Sequence, residues 1–170
     1  MNRKKIMIIL LSCIVITIVI KRRKMDSNTT AASGTYPNPS GKNRGLKNNN
    51  PLNIRKSSDT FQGEIRPSGD PAFKQFTSMA YGYRAAFKIL QNYLKNGHNT
   101  IEKIVKRWAP AADGNNTASY IRNVANRSGI AQNAIISGKD QLIRVVQAMA
   151  QSEVGITPTI TELNQAWLLI

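Results

Sequence analysis

The sequence predicts an α+β protein that is mainly helical, in which a domain with a small β-hairpin follows a single transmembrane helix. Apolar residues recur at helical spacing in several segments after residue 78. A turn-rich stretch before them holds two short strand-like pieces. An uncharged, mostly apolar run lies near the N-terminus. The 170 residues are enough for one domain with a core and an appendage.

The apolar run, residues 6–20 of "RKKIMIILLSCIVITIVIKRRK", lies between two basic clusters. As a helix it spans roughly 22 Å, less than the roughly 30 Å of a hydrocarbon core. Snorkelling Lys and Arg side chains and local thinning of the bilayer can supply the difference. No small-x-small cleavage site follows, which favours an uncleaved anchor over a signal peptide or a lipidated Cys13. Basic residues on both sides leave the orientation open.

Composition divides the chain into an anchor (residues 1–24), a flexible polar linker (residues 25–45) and a domain (residues 46–170). Residues 1–50 hold 10 basic and 1 acidic residue, whereas residues 51–170 hold 14 and 8, for a net charge of +15. This excess indicates a polyanionic neighbour without choosing among nucleic acid, anionic lipid and envelope polymers. With one Cys and one His there is no Cys/His ligand spacing, so we expect neither a metal nor a cofactor.

The hairpin is predicted from residues 52–55 and 61–65, which "KSSD" connects. In the second piece, alternation places Glu64 and Gln62 on one face and Phe61, Gly63 and Ile65 on the other. Glu64 can therefore project into a cleft, or it can be an ordinary exposed strand residue.

The helices follow in order. The predicted segments are residues 78–95, a short helix after Thr100 that ends before Pro110, a helix that begins near residue 116 or 117 and ends before Gly129, residues 139–154, and a last helix from Thr159, where "TITE" is a capping-box pattern.

Glu153 lies in the last turn of the fourth predicted helix. At about 100° per residue it falls about 20° from Leu142, on the apolar stripe. Apolar surroundings and the helix dipole both favour the protonated acid. A protonated carboxylic acid is what cleavage of a glycosidic bond requires. The alternative is that the helix end frays and the side chain turns into solvent.

Several stretches resemble a known family. "GLKNNNPLNIR", "FQGE", "FKQFTSMAYGYRAAFKILQNY", "TIEKIVKRWAP" and "NNTASYIRNV" occur in this order between about residues 45 and 155. They resemble small phage and prophage proteins with a lysozyme-like domain, described as virion-associated murein-degrading proteins or lytic transglycosylases. The resemblance implies a lysozyme-like fold and peptidoglycan as the substrate.

Lysozyme-like transglycosylases place a catalytic Glu at a helix end, and a β-hairpin follows it in the chain. Here the candidate helix end, "MAQSEVG", comes after the hairpin instead. The resemblance therefore implies a circularly permuted order, in which the C-terminal helix brings Glu153 beside the hairpin that bears Glu64.

On this interpretation Glu153 is the general acid and later the base, with the N-acetyl group of the sugar assisting. Glu64 or Asp59 would stabilise positive charge or orient water if it lines the cleft. The candidate sugar contacts are Asn48, Asn49, Tyr83, Asn115 and Tyr120. The Asn residues also suit turns and caps, Tyr83 suits core packing, and Trp108 suits the core better than a sugar platform.

The predicted function is that of a membrane-anchored peptidoglycan glycosidase of a phage virion, of the lytic transglycosylase or muramidase type. Its partners would be peptidoglycan, membrane lipid through residues 6–20 and other virion proteins, in the internal membrane of a virion or in the host cell envelope. Nucleic acid is not expected, because no aromatic-basic interleaving or nucleic-acid module is present. The alternative is a non-catalytic structural protein of a membrane-containing virion that binds glycan, lipid head groups or nucleic acid. A holin-like protein is a poorer third choice.

Overall fold

The helices and the small sheet belong to the part of the chain that a computed structural model describes, residues 43–170. The predicted anchor at residues 6–20 and most of the predicted linker lie outside the described residues. Within residues 43–170 no helix is long and apolar enough to cross a membrane.

The described chain is mainly helical, with one two-stranded sheet. The elements in chain order are α1 (Arg44–Lys47), β1 (Glu64–Ile65), β2 (Gln75–Phe76), α2 (Met79–Lys95), α3 (Ile101–Trp108), α4 (Thr117–Ser128), α5 (Lys139–Val154) and α6 (Ile160–Trp167). A 3-10 helix, Ala111–Asp113, lies between α3 and α4.

Local side-chain caps start α3, α4 and α6, and those of α3 and α6 were predicted. Thr100 Oγ1 accepts from the Lys103 backbone N–H at 3.2 Å at the start of α3. Asn116 does the same for α4, and Thr159 forms the full predicted capping box of α6. These caps satisfy backbone donors that the first helical turn leaves without a partner, so the starts of these helices are set locally.

The small sheet differs from the predicted hairpin. Strand β1 pairs antiparallel with β2, with Glu64 opposite Phe76, and not with residues 52–55. That earlier segment lies beside residues 72–74, where the Lys74 backbone N–H donates to the Ile54 carbonyl at 3.0 Å. The hairpin through "KSSD" was therefore a wrong prediction. Its second piece is not fully extended either, because Gly63 has a φ of 75°, in the left-handed region.

A turn at Asp70 explains the observed pairing. Asp70 Oδ1 accepts from the backbone N–H groups of Ala72 and Phe73, both at 2.9 Å. This side-chain turn reverses the chain, so residues 72–76 run back antiparallel to β1. The partner of β1 is thus chosen by a turn that is distinct from the predicted connection.

The core is built around α5, which packs against α4 and α2, while α6 packs on α2. Residues 43–53 lie at the C-terminal end of α5. Asn43 Nδ2 donates to the Val154 carbonyl at 2.6 Å. A Cβ on Gly45 would lie only 2.5 Å from Val154 Cγ1. The start of the described chain is thereby held beside the helix end that carries Glu153.

Candidate functional site

Glu153 lies in a groove of about 680 Å³. The other lining residues come from the loop after α1, from the loop between β1 and β2, from α2, from the end of α3 and from the turn that follows it. They are Asn53, Ile54, Arg55, Ser57, Asp59, Thr60, Phe61, Phe73, Lys88, Ile89, Asn92, Tyr93, Arg107, Trp108, Ala109, Asp113 and Asn115. Glu153 lies in the last turn of a helix, as predicted, but its neighbour is the loop residue Asn53 and not the predicted hairpin with Glu64, which is outside the groove lining.

Two donors hold the half-buried carboxyl group of Glu153. Tyr120 Oη donates to Oε1 at 2.7 Å, and Asn53 Nδ2 donates to Oε2 at 2.9 Å. The two contacts fix the orientation of the carboxyl plane, so the group is set in the groove and does not turn freely into solvent. A tyrosine hydroxyl can donate or accept, so this arrangement accommodates the ionised and the protonated acid.

Tyr120 is half-buried beside Glu153. Burial, the negative charge of Glu153 and the hydrogen bond to it raise the pKa of Tyr120 well above its ordinary value. Its hydroxyl therefore stays protonated at neutral pH. Tyr120 was predicted as a sugar contact, but the structure places it against Glu153 and outside the groove lining.

Asn53 is positioned by a loop that side-chain hydrogen bonds of Asn50 hold in place. Its φ of 50° lies in the left-handed region, which Asn tolerates better than most residues. The fully buried Asn50 side chain accepts from the Ile54 backbone N–H at 2.8 Å and donates to the Ile54 and Lys74 carbonyls, both at 2.9 Å. Sequence reasoning missed Asn53, although "NPLN" is an Asn-rich turn of the kind that adopts such a conformation.

Asn48 and Asn49, both predicted sugar contacts, make structural hydrogen bonds. Asn48 is buried, and its Nδ2 donates to Asp70 at 2.8 Å. Asn49 Nδ2 donates to the Phe76 carbonyl at 3.0 Å. Neither residue is among those that line the groove. They hold the loop after α1 against the sheet.

Glu64 is a structural anion in the observed fold. It forms an ion pair of 3.0 Å with Lys74, and the two side chains are only 6% and 1% exposed. It also accepts from the Phe61 backbone N–H at 3.1 Å, and it is not among the groove residues. Lys74 donates in addition to the Asp59 carbonyl at 2.7 Å. This buried pair thus supports the loop that forms one part of the groove.

The remaining predicted site residues divide between core and groove. Tyr83 is 1% exposed and belongs to the core. Asn115 and Asp59 line the groove, as does half-buried Trp108. Asn115 Nδ2 donates to the Pro110 carbonyl at 3.0 Å, so its Oδ1 is the atom suited to a ligand hydroxyl.

The groove also contains features suited to an organic ligand. Four aromatic side chains line it, namely Phe61, Phe73, Tyr93 and Trp108. Aromatic rings with a few placed polar groups are the usual lining of an organic ligand site. Among residues 43–170 no group of three or more His, Cys, Asp and Glu side chains is arranged to hold a metal ion.

This helical domain, with its glutamate in a groove, belongs to a family of bacteriophage proteins. The relative that shows this is protein P5 of Pseudoalteromonas phage PM2. It is 39% identical over 146 residues, which cover 82% of this chain and 90% of that protein. No protein-family model matches the chain. The prediction of a phage protein is thus confirmed.

Proposed function

We propose that this protein is a phage glycosidase that cleaves the glycan strands of peptidoglycan, with a lysozyme-like domain in permuted order and Glu153 as its general acid. The observation that carries the proposal is the setting of Glu153. Its carboxyl group is half-buried at the end of α5, held by Tyr120 and Asn53, and part of the groove lining.

Glu153 supplies the proton in the first step of the proposed reaction. The proton moves to the glycosidic oxygen, the bond from that oxygen to the anomeric carbon breaks, and the leaving sugar departs with a new hydroxyl group. The carbonyl oxygen of the N-acetyl group next to the anomeric carbon then shares the positive charge that develops there.

Glu153 acts as the base in the second step. Its carboxylate accepts a proton from the nucleophile that attacks the anomeric carbon. If this nucleophile is the 6-hydroxyl of the same sugar, an anhydro end forms. If it is water, the reaction is a hydrolysis. Asp59, which lines the groove, is a carboxylate that can orient such a water.

The contacts between the start of the described chain and the C-terminal end of α5 support the permuted order. Residues 43–53 lie against the end of α5 through the hydrogen bonds Asn43–Val154 and Asn53–Glu153. The catalytic helix and the hairpin region are therefore side by side in space. Their order along the chain can be reversed by a circular permutation without moving either of them.

The proposal places the protein at a membrane, in a phage particle or in the host envelope. The apolar residues 6–20 would be the anchor, with the polar linker between anchor and domain. A tether of this kind would hold the groove close to the peptidoglycan layer during penetration of the cell wall.

Glu153→Gln tests the general acid. We expect wild-type protein to clear peptidoglycan in a zymogram and the variant to lose about a hundredfold or more of the rate, with an unchanged circular dichroism spectrum. Glu102→Gln, which removes an acid paired with Lys106 on the surface of α3, is the matched control. Mass spectrometry of the released muropeptides separates anhydro ends from hydrolytic ends.

Two results would overturn the proposal. Normal clearing by Glu153→Gln would reject Glu153 as the acid. Inactivity of the folded wild-type protein on peptidoglycans of several chemical types would reject the enzyme.

A further inference from the structure

The groove lining contains five charged side chains besides Glu153, and the proposed cleavage uses only one of them, Asp59, to orient water. Three are cations, Arg55, Lys88 and Arg107, and two, besides Glu153, are carboxylates, Asp59 and Asp113. All five are exposed. None of the three cations takes part in a salt bridge within residues 43–170.

The three cations reach the groove from three different parts of the fold. Arg55 follows the loop that carries Asn53, Lys88 lies on α2, and Arg107 lies in the last turn of α3. If all three cations lay on one face of one helix, they would be explained as ordinary solvent-exposed surface. Convergence of separate elements on one groove needs a further explanation.

Aromatic rings restrain two of these cations. The Arg107 guanidinium lies 5.1 Å from the centre of the Tyr93 ring, and that of Arg55 lies 5.9 Å from the centre of the Phe73 ring. Both rings also line the groove. A guanidinium has five N–H donors, so Arg107, which also hydrogen-bonds the Tyr93 hydroxyl, retains donors for a carboxylate of a ligand.

We propose that the groove recognises the peptide stems of peptide-substituted glycan strands as well as the sugars. Arg55, Lys88 and Arg107 bind stem carboxylates, and Asp59 and Asp113 accept from free amino groups of the stems. This inference rests on the proposed function and names the form of peptidoglycan that the site prefers.

The mixed charge of the lining favours stems over nucleic acid. A nucleic acid carries one negative charge per nucleotide, so its phosphates would meet Glu153, Asp59 and Asp113 at the same time as the cations. Peptide stems carry few charges, of both signs, and such a ligand can match both kinds of side chain.

Paired substrates test the inference. Soluble glycan strands with their stems, and the same strands stripped by an amidase, are compared by kcat and KM. We expect kcat/KM of the wild type to be about tenfold higher on the stem-bearing strands, since one or two exposed charge-assisted contacts give an effect of this size. Arg107→Gln and Lys88→Gln should raise KM on stem-bearing strands toward the wild-type value on stripped strands.

Matched controls are available on the same kinds of element. Lys95→Gln changes an exposed cation of α2 outside the groove lining, and Arg144→Gln does so on α5. Both should retain the wild-type preference. Equal wild-type kcat/KM on the two substrates, or a preference that Arg107→Gln and Lys88→Gln leave intact, would overturn stem recognition without affecting the glycosidase.

A binding assay distinguishes an error in this inference from an error in the proposed glycosidase activity, because it requires no cleavage. Glu153→Gln protein is sedimented with insoluble peptidoglycan before and after removal of the stems. We expect Glu153→Gln protein to bind more strongly to the stem-bearing material. If the double variant Glu153→Gln, Arg107→Gln loses this difference, stem recognition is supported even if no cleavage is found. Equal binding to both materials, or tighter binding to double-stranded DNA at about 0.15 M salt, overturns it.

Discussion

Tyr120 and Asn53 hold one carboxyl group from two distant points of the chain. Their side chains meet Glu153 from 33 and 100 residues away in sequence. Each bond fixes one carboxyl oxygen, so the carboxyl group keeps one orientation where it lines the groove. Preorganisation of this kind keeps a proton donor aimed at one place.

Removal of the Tyr120 hydroxyl should reduce catalysis by the proposed enzyme. In Tyr120→Phe the ring still fills its site, but Oε1 of Glu153 loses its donor. We expect kcat to fall about tenfold to a hundredfold, the usual effect of losing a group that orients a functional side chain, with a change in the pH profile of kcat. Tyr81→Phe, which removes a hydroxyl outside the groove lining, serves as the control. An unchanged kcat and pH profile in Tyr120→Phe would show that the contact has no positioning role.

The titration of Tyr120 reports on the same contact without requiring activity. In wild-type protein three causes raise the pKa of Tyr120: burial, the charge of Glu153 and the hydrogen bond. Glu153→Gln removes the charge, so the pKa should fall toward the ordinary value of about 10 while burial keeps it raised. NMR of 13C-labelled tyrosine in alkaline solution measures this shift. Identical titrations of Tyr120 in the two proteins would contradict the observed contact.

At the scale of elements, Gly82 sets how closely α2 approaches the loop after α1. A Cβ at this position would lie 2.1 Å from the Asn49 carbonyl oxygen and 2.6 Å from Pro51 Cδ. Gly82 is buried within the helix Met79–Lys95. The loop that carries Asn53 therefore packs directly on the α2 backbone.

Gly82→Ala should destabilise the protein, although the change favours a helix. In an open helix, Gly to Ala stabilises by up to about 1 kcal/mol. Here backbone atoms of the loop would have to move, and we expect a net loss of about 1–3 kcal/mol in the free energy of unfolding. Urea denaturation measures it, with Asn123→Ala at an exposed position of α4 as a control for helix propensity. A gain in stability in Gly82→Ala would refute the close packing.

The elements also show what the sequence could predict. The beginnings of α3, α4 and α6 depend on caps within three residues, so they were predicted correctly from local chemistry. The span of α5 was likewise predicted from its apolar stripe. The partner of β1 was not, because pairing with Gln75–Phe76 depends on the Asp70 turn and on contacts with residues 52–56. Short strands give too little pattern to specify a partner.

At the scale of the whole molecule, the groove exists only because distant parts of the chain meet. The position of Glu153, at the end of a helix and on its apolar stripe, could be predicted because it depends only on the local sequence. Its partners could not, since nothing local in "NPLN" or "ASYI" indicates contact with a helix end far along the chain. Glu64 was proposed from its strand face, but its burial with Lys74 depends on the fold of residues 57–76.

Charge is the other property of the whole molecule. The formal charge of +15 grows as carboxylates are protonated in acid, which increases repulsion within the folded chain. Asp70 offsets part of this positive charge locally, because both of its carboxylate oxygens accept hydrogen bonds from Arg44, at 2.5 and 2.6 Å. Arg44, followed by Asn48 and by backbone N–H groups, holds the pKa of Asp70 well below its usual range. The pair joins α1 to the loop that leads into β2.

Asp70→Asn should therefore change the acid stability of the protein. A depressed pKa in the folded state means that the stabilisation is fully present above the unfolded pKa, about 3.9, and is lost as the pH falls through the folded value. We expect Asp70→Asn to be less stable than wild type at neutral pH, with the difference narrowing progressively below about pH 4. Urea denaturation at a series of pH values measures this, and Asp113→Asn, at an exposed turn, makes the same change in net charge. A difference between Asp70→Asn and wild type that stays constant from neutral pH into strong acid would show that the ionised pair does not stabilise the fold.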